Sequence, residues 1–127
     1  MVANRATDTN PERRLRSALH QMGLRFRKDQ CIEAGAVRTR PDIVFSRAGI
    51  AVFLDGCFWH QCPEHGTLPT TNRDYWEAKL RRNVTRDRLV DASLRGSGWV
   101  VIRVWEHEEP SKAARRVALA VASRRAP

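Results

Sequence analysis

The residues able to do chemistry gather between Val52 and His65, a stretch reading Val-Phe-Leu-Asp-Gly-Cys-Phe-Trp-His-Gln-Cys-Pro-Glu-His. Carboxylate, thiols, imidazoles and aromatic rings are packed together there. Core segments hold few such groups, because each costs free energy when buried unpaired. Cys57 and Cys62 have four residues between them, His65 follows three later, and His107 stands far along the chain. Thiolate and imidazole are the ligands zinc prefers, and four of them close a tetrahedral structural site with no open position. The bland alternative is two reduced cysteines beside surface histidines, and the close spacing of three ligands in a non-repetitive loop argues against it. Cys31, the third cysteine, reads as a plain thiol.

A second set is made of oxygen ligands. Asp42 follows Pro41, and Asp55 stands thirteen positions later. Two carboxylates on neighbouring strands are the layout of a magnesium site for phosphodiester hydrolysis, in which hard oxygen ligands hold the ion against a phosphate. His60, five residues past Asp55, titrates near working pH and can serve as general acid or base. A turn aspartate and a strand-end aspartate with no further role is the competing reading. Phe58 and Trp59 are consecutive rings in the same loop, and Trp76 lies near the start of a long helical pattern. Held rigid, such rings can act as apolar wedges between base pairs.

These groups need elements to place them. Asn10-Pro11-Glu12 is a good helix start, with a capping side chain, a proline suited to the first turn and an acid near the positive helix end. The helix is expected to run to Met22 and stop at Gly23, with Leu15, Leu19 and Met22 as its apolar stripe. Glu12 lies on that same face, where it serves either the helix dipole or a function. Leu24 to Arg27 predicts a short strand, and Gln30 to Arg40 an irregular, partly basic loop. Ile43-Val44-Phe45 predicts a strand, Ser46 to Gly49 a hairpin turn and Ile50 to Asp55 the returning strand, which brings Asp42 and Asp55 close together. Asn72 is expected to cap a helix to about Leu94, closed by Gly96 and Gly98. On it Trp76, Leu80, Val84 and Asp87 share one face, so Asp87 is a second inward acid. Trp99 to Trp105 reads as a dense apolar strand interrupted only by Arg103, with both tryptophans in the core. Ser111 is expected to cap a last helix. The order predicts an α/β domain over 10–123, with a mixed sheet flanked by helices. A flexible arm over 1–9 precedes it and a disordered tail over 124–127 follows.

With 127 residues the chain suits one domain able to close a hydrophobic core without disulfides. No apolar run is long enough to span a bilayer and the N-terminus lacks the apolar core of a signal peptide, so the expectation is a cytoplasmic, nucleoid-associated protein without a membrane partner. Lysine and arginine number 23 against 14 acids, a formal charge of +9. Arginine dominates that excess, and its planar fork matches phosphate, which favours nucleic acid as the partner over a membrane surface.

The residues together resemble one family. Pro41-Asp42, the run Phe-Leu-Asp-Gly-Cys-Phe-Trp-His, Tyr75-Trp76-Glu77 with Lys79, Asn83-Val84, Arg86-Asp87-Arg88, Gly98-Trp99 and Val104-Trp105-Glu106-His107 resemble the very short patch repair endonucleases from about Asp8 to Glu108. The resemblance implies a fold like the type II restriction endonucleases, and a magnesium-dependent nick on the 5′ side of the thymine in a T:G mismatch. By it Asp42 is the metal-binding catalytic aspartate, His60 the catalytic histidine, and Glu12 and Asp87 supporting acids. Phe58, Trp59 and Trp76 are the rings pushed into double-stranded DNA, and Cys57, Cys62, His65 and His107 hold structural zinc. The best-known member has histidine where this chain has Asp55 and threonine where it has Leu54. The Leu54 main-chain carbonyl can still bind magnesium there, and Asp55 is expected to add a catalytic carboxylate and a metal ligand. The match begins almost at once, whereas many members carry a longer arm that clamps DNA. One nick needs one active site, so a monomer is expected, working with other DNA repair proteins.

Overall fold

The computed structural model describes residues 10–56 and 70–125. The order is α1 (Asn10–Gln21), β1 (Ile32–Ala34), β2 (Val37–Thr39), β3 (Ile43–Phe45), β4 (Ile50–Asp55), α2 (Arg73–Gly96), β5 (Val100–Trp105) and α3 (Pro110–Arg125). The central sheet has the order β3-β4-β5, with β3 antiparallel to β4 and β4 parallel to β5. It is therefore mixed, as expected.

Alternation along the strands assigns the two faces. Ile43, Phe45, Ile50, Val52 and Val104 pack with Leu15 and Leu19 of α1 and with Ala113, Ala114, Val117 and Val121 of α3. The intervening Val44, Ala51, Phe53 and Val101 pack instead with Val90 and Leu94 of α2 and with Ile32 and Ala34. Both faces of the sheet are thus covered, which explains why β3 and β4 read as almost unbroken apolar runs. Helix α2 is the crossover that the parallel β4/β5 pair requires.

Several expectations are corrected. Residues 30–40 are not an irregular loop: β1 and β2 form an antiparallel hairpin, Ala34 opposite Val37, whose two-residue connection puts Gly35 at φ 60°. The 24–27 segment contributes a single bridge, Arg27 with Val44, rather than a strand. Met22 is 43% exposed and outside the core, because α1 ends one residue earlier and Gly23 turns away at φ 81°. Asn72 does not cap α2 with its side chain. It takes the left-handed conformation, and its carbonyl accepts from Trp76 N–H at 3.1 Å. Glu109, not Ser111, caps α3: its carboxylate accepts from the backbone N–H groups of Ser111 and Lys112, and its carbonyl from Ala113 N–H. Trp99 and Trp105 are only half-buried. Residues Arg124 and Arg125 belong to α3 rather than to a tail, while residues 1–9 lie outside those described.

Arg124 fastens the end of α3 to the sheet by donating to Ala48 O at 2.7 Å and Gly98 O at 3.0 Å. Gly49, between those two contacts, has φ 71°, and a Cβ there would lie 2.9 Å from the Arg124 guanidinium. Gly49→Ala should lower stability by about 1–2 kcal/mol, the cost of a left-handed conformation with a side chain. Urea denaturation of the two proteins checks this.

Candidate active site

The site residues converge where β4 ends. Asp42 stands just before β3, and its N–H donates to Val52 O at 3.0 Å, placing it across from the second half of β4. Its Oδ2 accepts from Leu54 N–H at 2.6 Å. Pro41, fully buried beside it, has no N–H to leave unpaired. β4 and β5 run side by side to Asp55 and Trp105, and the bond from Glu106 N–H to Asp55 O extends the pairing one residue further. The carboxyl ends of parallel strands are where open α/β sheets put their ligands. Glu12 arrives from the first turn of α1 and is only 4% exposed.

Charge at this end is unevenly balanced. Glu12 is held by Arg16 at 2.9 Å, one turn along α1. Asp55, 4% exposed, accepts with both oxygens from one nitrogen of Arg103, at 3.0 and 3.2 Å. Asp42 has the Leu54 N–H but no cation paired with it among the described residues. Burial, with the nearby charges of Glu12, Asp55 and Asp29, raises its pKa to about 6 against the opposing pull of that N–H. Glu12, Asp42, Asp55, Asp87 and Asp91 are five of the 14 acids of a chain with net charge +9. They form an acidic island under a basic exterior, suited to a cation held against an anionic substrate.

Arg103 lies on the α2 side of the sheet. Its Nε and one terminal nitrogen form a fork on Asp91 at 2.9 and 2.7 Å, the other terminal nitrogen meets Asp55 and stands 3.8 Å from Asp87, and its carbon lies 4.3 Å above the Phe53 ring centre. Burial alone would lower its pKa, and the three aspartates more than reverse this. Sequence reasoning missed Arg103 and Asp91. The available signal was one charge inside an apolar strand, opposite two acids a turn apart on the inward face of α2.

On the α1 side a cleft of about 370 Å³ is lined by Pro11, Leu54, Glu106, His107 and Glu109, among others. His107 is exposed two residues past β5. The turn that carries it is closed by Glu108, whose carboxylate accepts from Trp105 N–H at 2.7 Å and from Arg116 at 2.7 Å. Trp76, in the first turn of α2, is half-buried and meets Tyr75 edge-on at 5.3 Å. Arg81, Arg82, Arg86 and Arg88 of α2 are exposed.

The structure thus brings together Asp42, Leu54, Asp55, Glu12 and Asp87 around one end of the sheet. Cys57, Phe58, Trp59, His60, Cys62 and His65 lie outside the described residues. Among the described residues no group of three or more His, Cys, Asp or Glu could hold a metal ion. Magnesium commonly uses one or two carboxylates, with waters and substrate phosphate for the rest. Among the described residues no helix is long and apolar enough to cross a membrane.

The family model described as DNA mismatch endonuclease Vsr matches residues 1–64. The chain is similar to the type II nicking enzyme V.NaeI of Lentzea aerocolonigenes, 59% identical over 110 residues, covering 86% of this chain and 66% of that relative. It is also similar to the type II nicking enzyme V.XorIIP of Xanthomonas oryzae pv. oryzae, 41% identical over 106 residues and covering 82% and 74% of the two chains. A third relative is the DNA mismatch endonuclease Vsr of Escherichia coli strain K12, 38% identical over 109 residues, with 84% and 66% covered. The match therefore spans just under two thirds of the length of the first and third of these relatives.

Proposed function

The chain belongs to the DNA mismatch endonuclease Vsr family, and on that premise we propose that it is a magnesium-dependent endonuclease that nicks one strand of duplex DNA 5′ of the thymine in a T:G mismatch, on a restriction-endonuclease-like fold. The observation that carries the reading is Asp42. It is a part-buried carboxylate beside two others, each of which has its own arginine, while Asp42 has none among the described residues. At neutral pH, above its raised pKa, it is an anion in need of a cation.

The residues fit magnesium on that ground. Asp42 and the Leu54 carbonyl are the groups we assign to hold it. Bound magnesium would withdraw charge from the phosphate and acidify a water. His60 moves the proton as general acid or base, Glu12 supports the charge balance, and Asp87 lies on the α2 side of the same centre. The exposed arginines of α2 take the phosphate backbone. Phe58, Trp59 and Trp76 form the wedge, which is selective because a mismatched step unstacks at lower cost than a paired one. For zinc the fit rests on donor chemistry: Cys57, Cys62, His65 and His107 make a complete thiolate-imidazole set. Such a site would tie the segment after β4 to the turn after β5.

The test is nicking of an end-labelled duplex carrying one T:G mismatch, beside its matched control and other mismatches, with and without magnesium. A magnesium-dependent nick next to the thymine, absent in the matched duplex, is expected. Equal cleavage of all duplexes would move the protein to a general nuclease of this fold, and binding without a nick to a silent DNA-binding module. Duplex affinity should fall steeply with salt, about tenfold or more for each doubling if four or more phosphates are neutralised. A flat salt response would remove DNA as the reason for the positive charge.

A further inference from the structure

The sequence assigns Asp55 to the metal, yet the structure gives its carboxylate another occupation. Both oxygens accept from one nitrogen of Arg103, inside the protein. The other edge of the same guanidinium is a fork on Asp91, and Asp87 stands at 3.8 Å. Asp87 and Asp91 are one turn apart on α2, a like-charge pair that destabilises a helix on its own. They are tolerated on the inward face because Arg103 stands against both.

The packing makes this pairing directional. Phe53 and Arg103 are register partners on β4 and β5, so the ring beneath the guanidinium comes from the neighbouring strand. The guanidinium is planar, with donors on fixed edges, so one edge on Asp91 sets the direction in which the other edge meets Asp55. Arg103 thereby ties the end of β4, which carries the Leu54 backbone, to the second half of α2, the helix whose first turn carries Trp76.

We propose that Arg103 is a positioning residue of the nuclease site, aligning α2 with the end of β4, and that it commits Asp55 to this ion pair and not to the divalent ion. The inference rests on the nuclease reading above. Two results separate its parts. First, manganese binding to the full-length protein is measured by calorimetry for wild type, Asp42→Asn and Asp55→Asn. Asp42→Asn should abolish it, whereas Asp55→Asn should leave the affinity within about threefold. Second, Arg103→Lys keeps the charge and loses the fork, and Asp91→Asn loosens the far anchor. Both variants should bind T:G duplex without magnesium nearly as wild type does, with unfolding midpoints showing them folded. Single-turnover nicking at saturating duplex should fall about tenfold or more for Arg103→Lys and by less for Asp91→Asn.

An Asp55→Asn protein that loses manganese as completely as Asp42→Asn would place Asp55 in the metal shell and overturn the commitment. A folded Arg103→Lys protein nicking at the wild-type rate would overturn the positioning role alone. Wild type that neither binds manganese nor nicks would overturn the nuclease reading, and the positioning role with it.

Discussion

Asp42→Asn should abolish nicking and, in the same molecule, make the metal-free protein more stable at neutral pH. The loss of activity follows from removing the anion assigned to the metal: several kcal/mol of transition-state stabilisation correspond to a fall of about a thousandfold or more. The gain in stability follows from the direction of the Asp42 pKa shift. Burial, then the charges of Glu12, Asp55 and Asp29, raise it from 3.8 to about 6 despite the Leu54 N–H. Below the lower value the carboxyl is protonated whether the chain is folded or not, and the site is unstrained. Between the two values the folded chain keeps a proton that the unfolded chain has lost, so stability falls as pH rises through this window. Above about 6 both states are ionised and the full penalty is present, on the order of 2–3 kcal/mol from a shift of about two units. An asparagine can still accept the Leu54 N–H, so the variant escapes the penalty and keeps the bond. Urea denaturation in magnesium-free buffer should show the variant ahead near pH 7.5 and level with wild type near pH 4. Added magnesium should raise only the wild-type midpoint, as mass action requires. A variant no more stable near pH 7.5 would mean that the Asp42 charge is already balanced in the folded protein.

The parts of this site that could be read from the sequence were those with a local signature. Three β-branched or aromatic residues, a turn and a five-residue apolar run ending at Asp55 gave β3 and β4, and with them the nearness of Asp42 and Asp55. Helical spacing alone put Glu12 and Asp87 on inward faces, and Glu12 is indeed buried. The hairpin over 32–39 was missed because its two strands have three residues each, too few for alternation to register, and Arg38 within it and Arg40 just after it gave the appearance of a basic loop. The cap of α3 was misread for a different reason. Serine is the commoner capping residue, but Pro110 fixes the first turn and leaves Glu109 in the preceding position. Arg103 escaped because its meaning lies in partners 12 and 48 residues away. No local rule sees a contact of that separation, so the residue looked like an interruption in a strand.

That same residue carries the largest stability effect expected of any ion pair among the described residues. Arg103→Met should cost about 3 kcal/mol or more, because it keeps much of the stem that packs on Phe53 and removes only the charge and the donors. Asp55, with 6% of its side chain exposed, and Asp91, with 17%, then face each other across α2 and β4 with Asp87 nearby and the guanidinium that bridged them gone. Penalties of this kind come from the charges left behind more than from the bond lost. Adding Asp55→Asn and Asp91→Asn to Arg103→Met should therefore recover a large part of the loss, since replacing a whole buried ionic group is often near neutral. The exposed Arg81–Glu77 pair on α2, at 3.3 Å with 72% and 47% of the side chains exposed, is the internal control. Its removal should cost no more than about 0.5 kcal/mol. If Arg103→Met proves as mild as that control, the guanidinium is only decorating the surface of the acidic island. If the triple variant recovers stability but not nicking, balancing charge and aligning α2 are separate tasks, and the fork geometry of Arg103 performs the second.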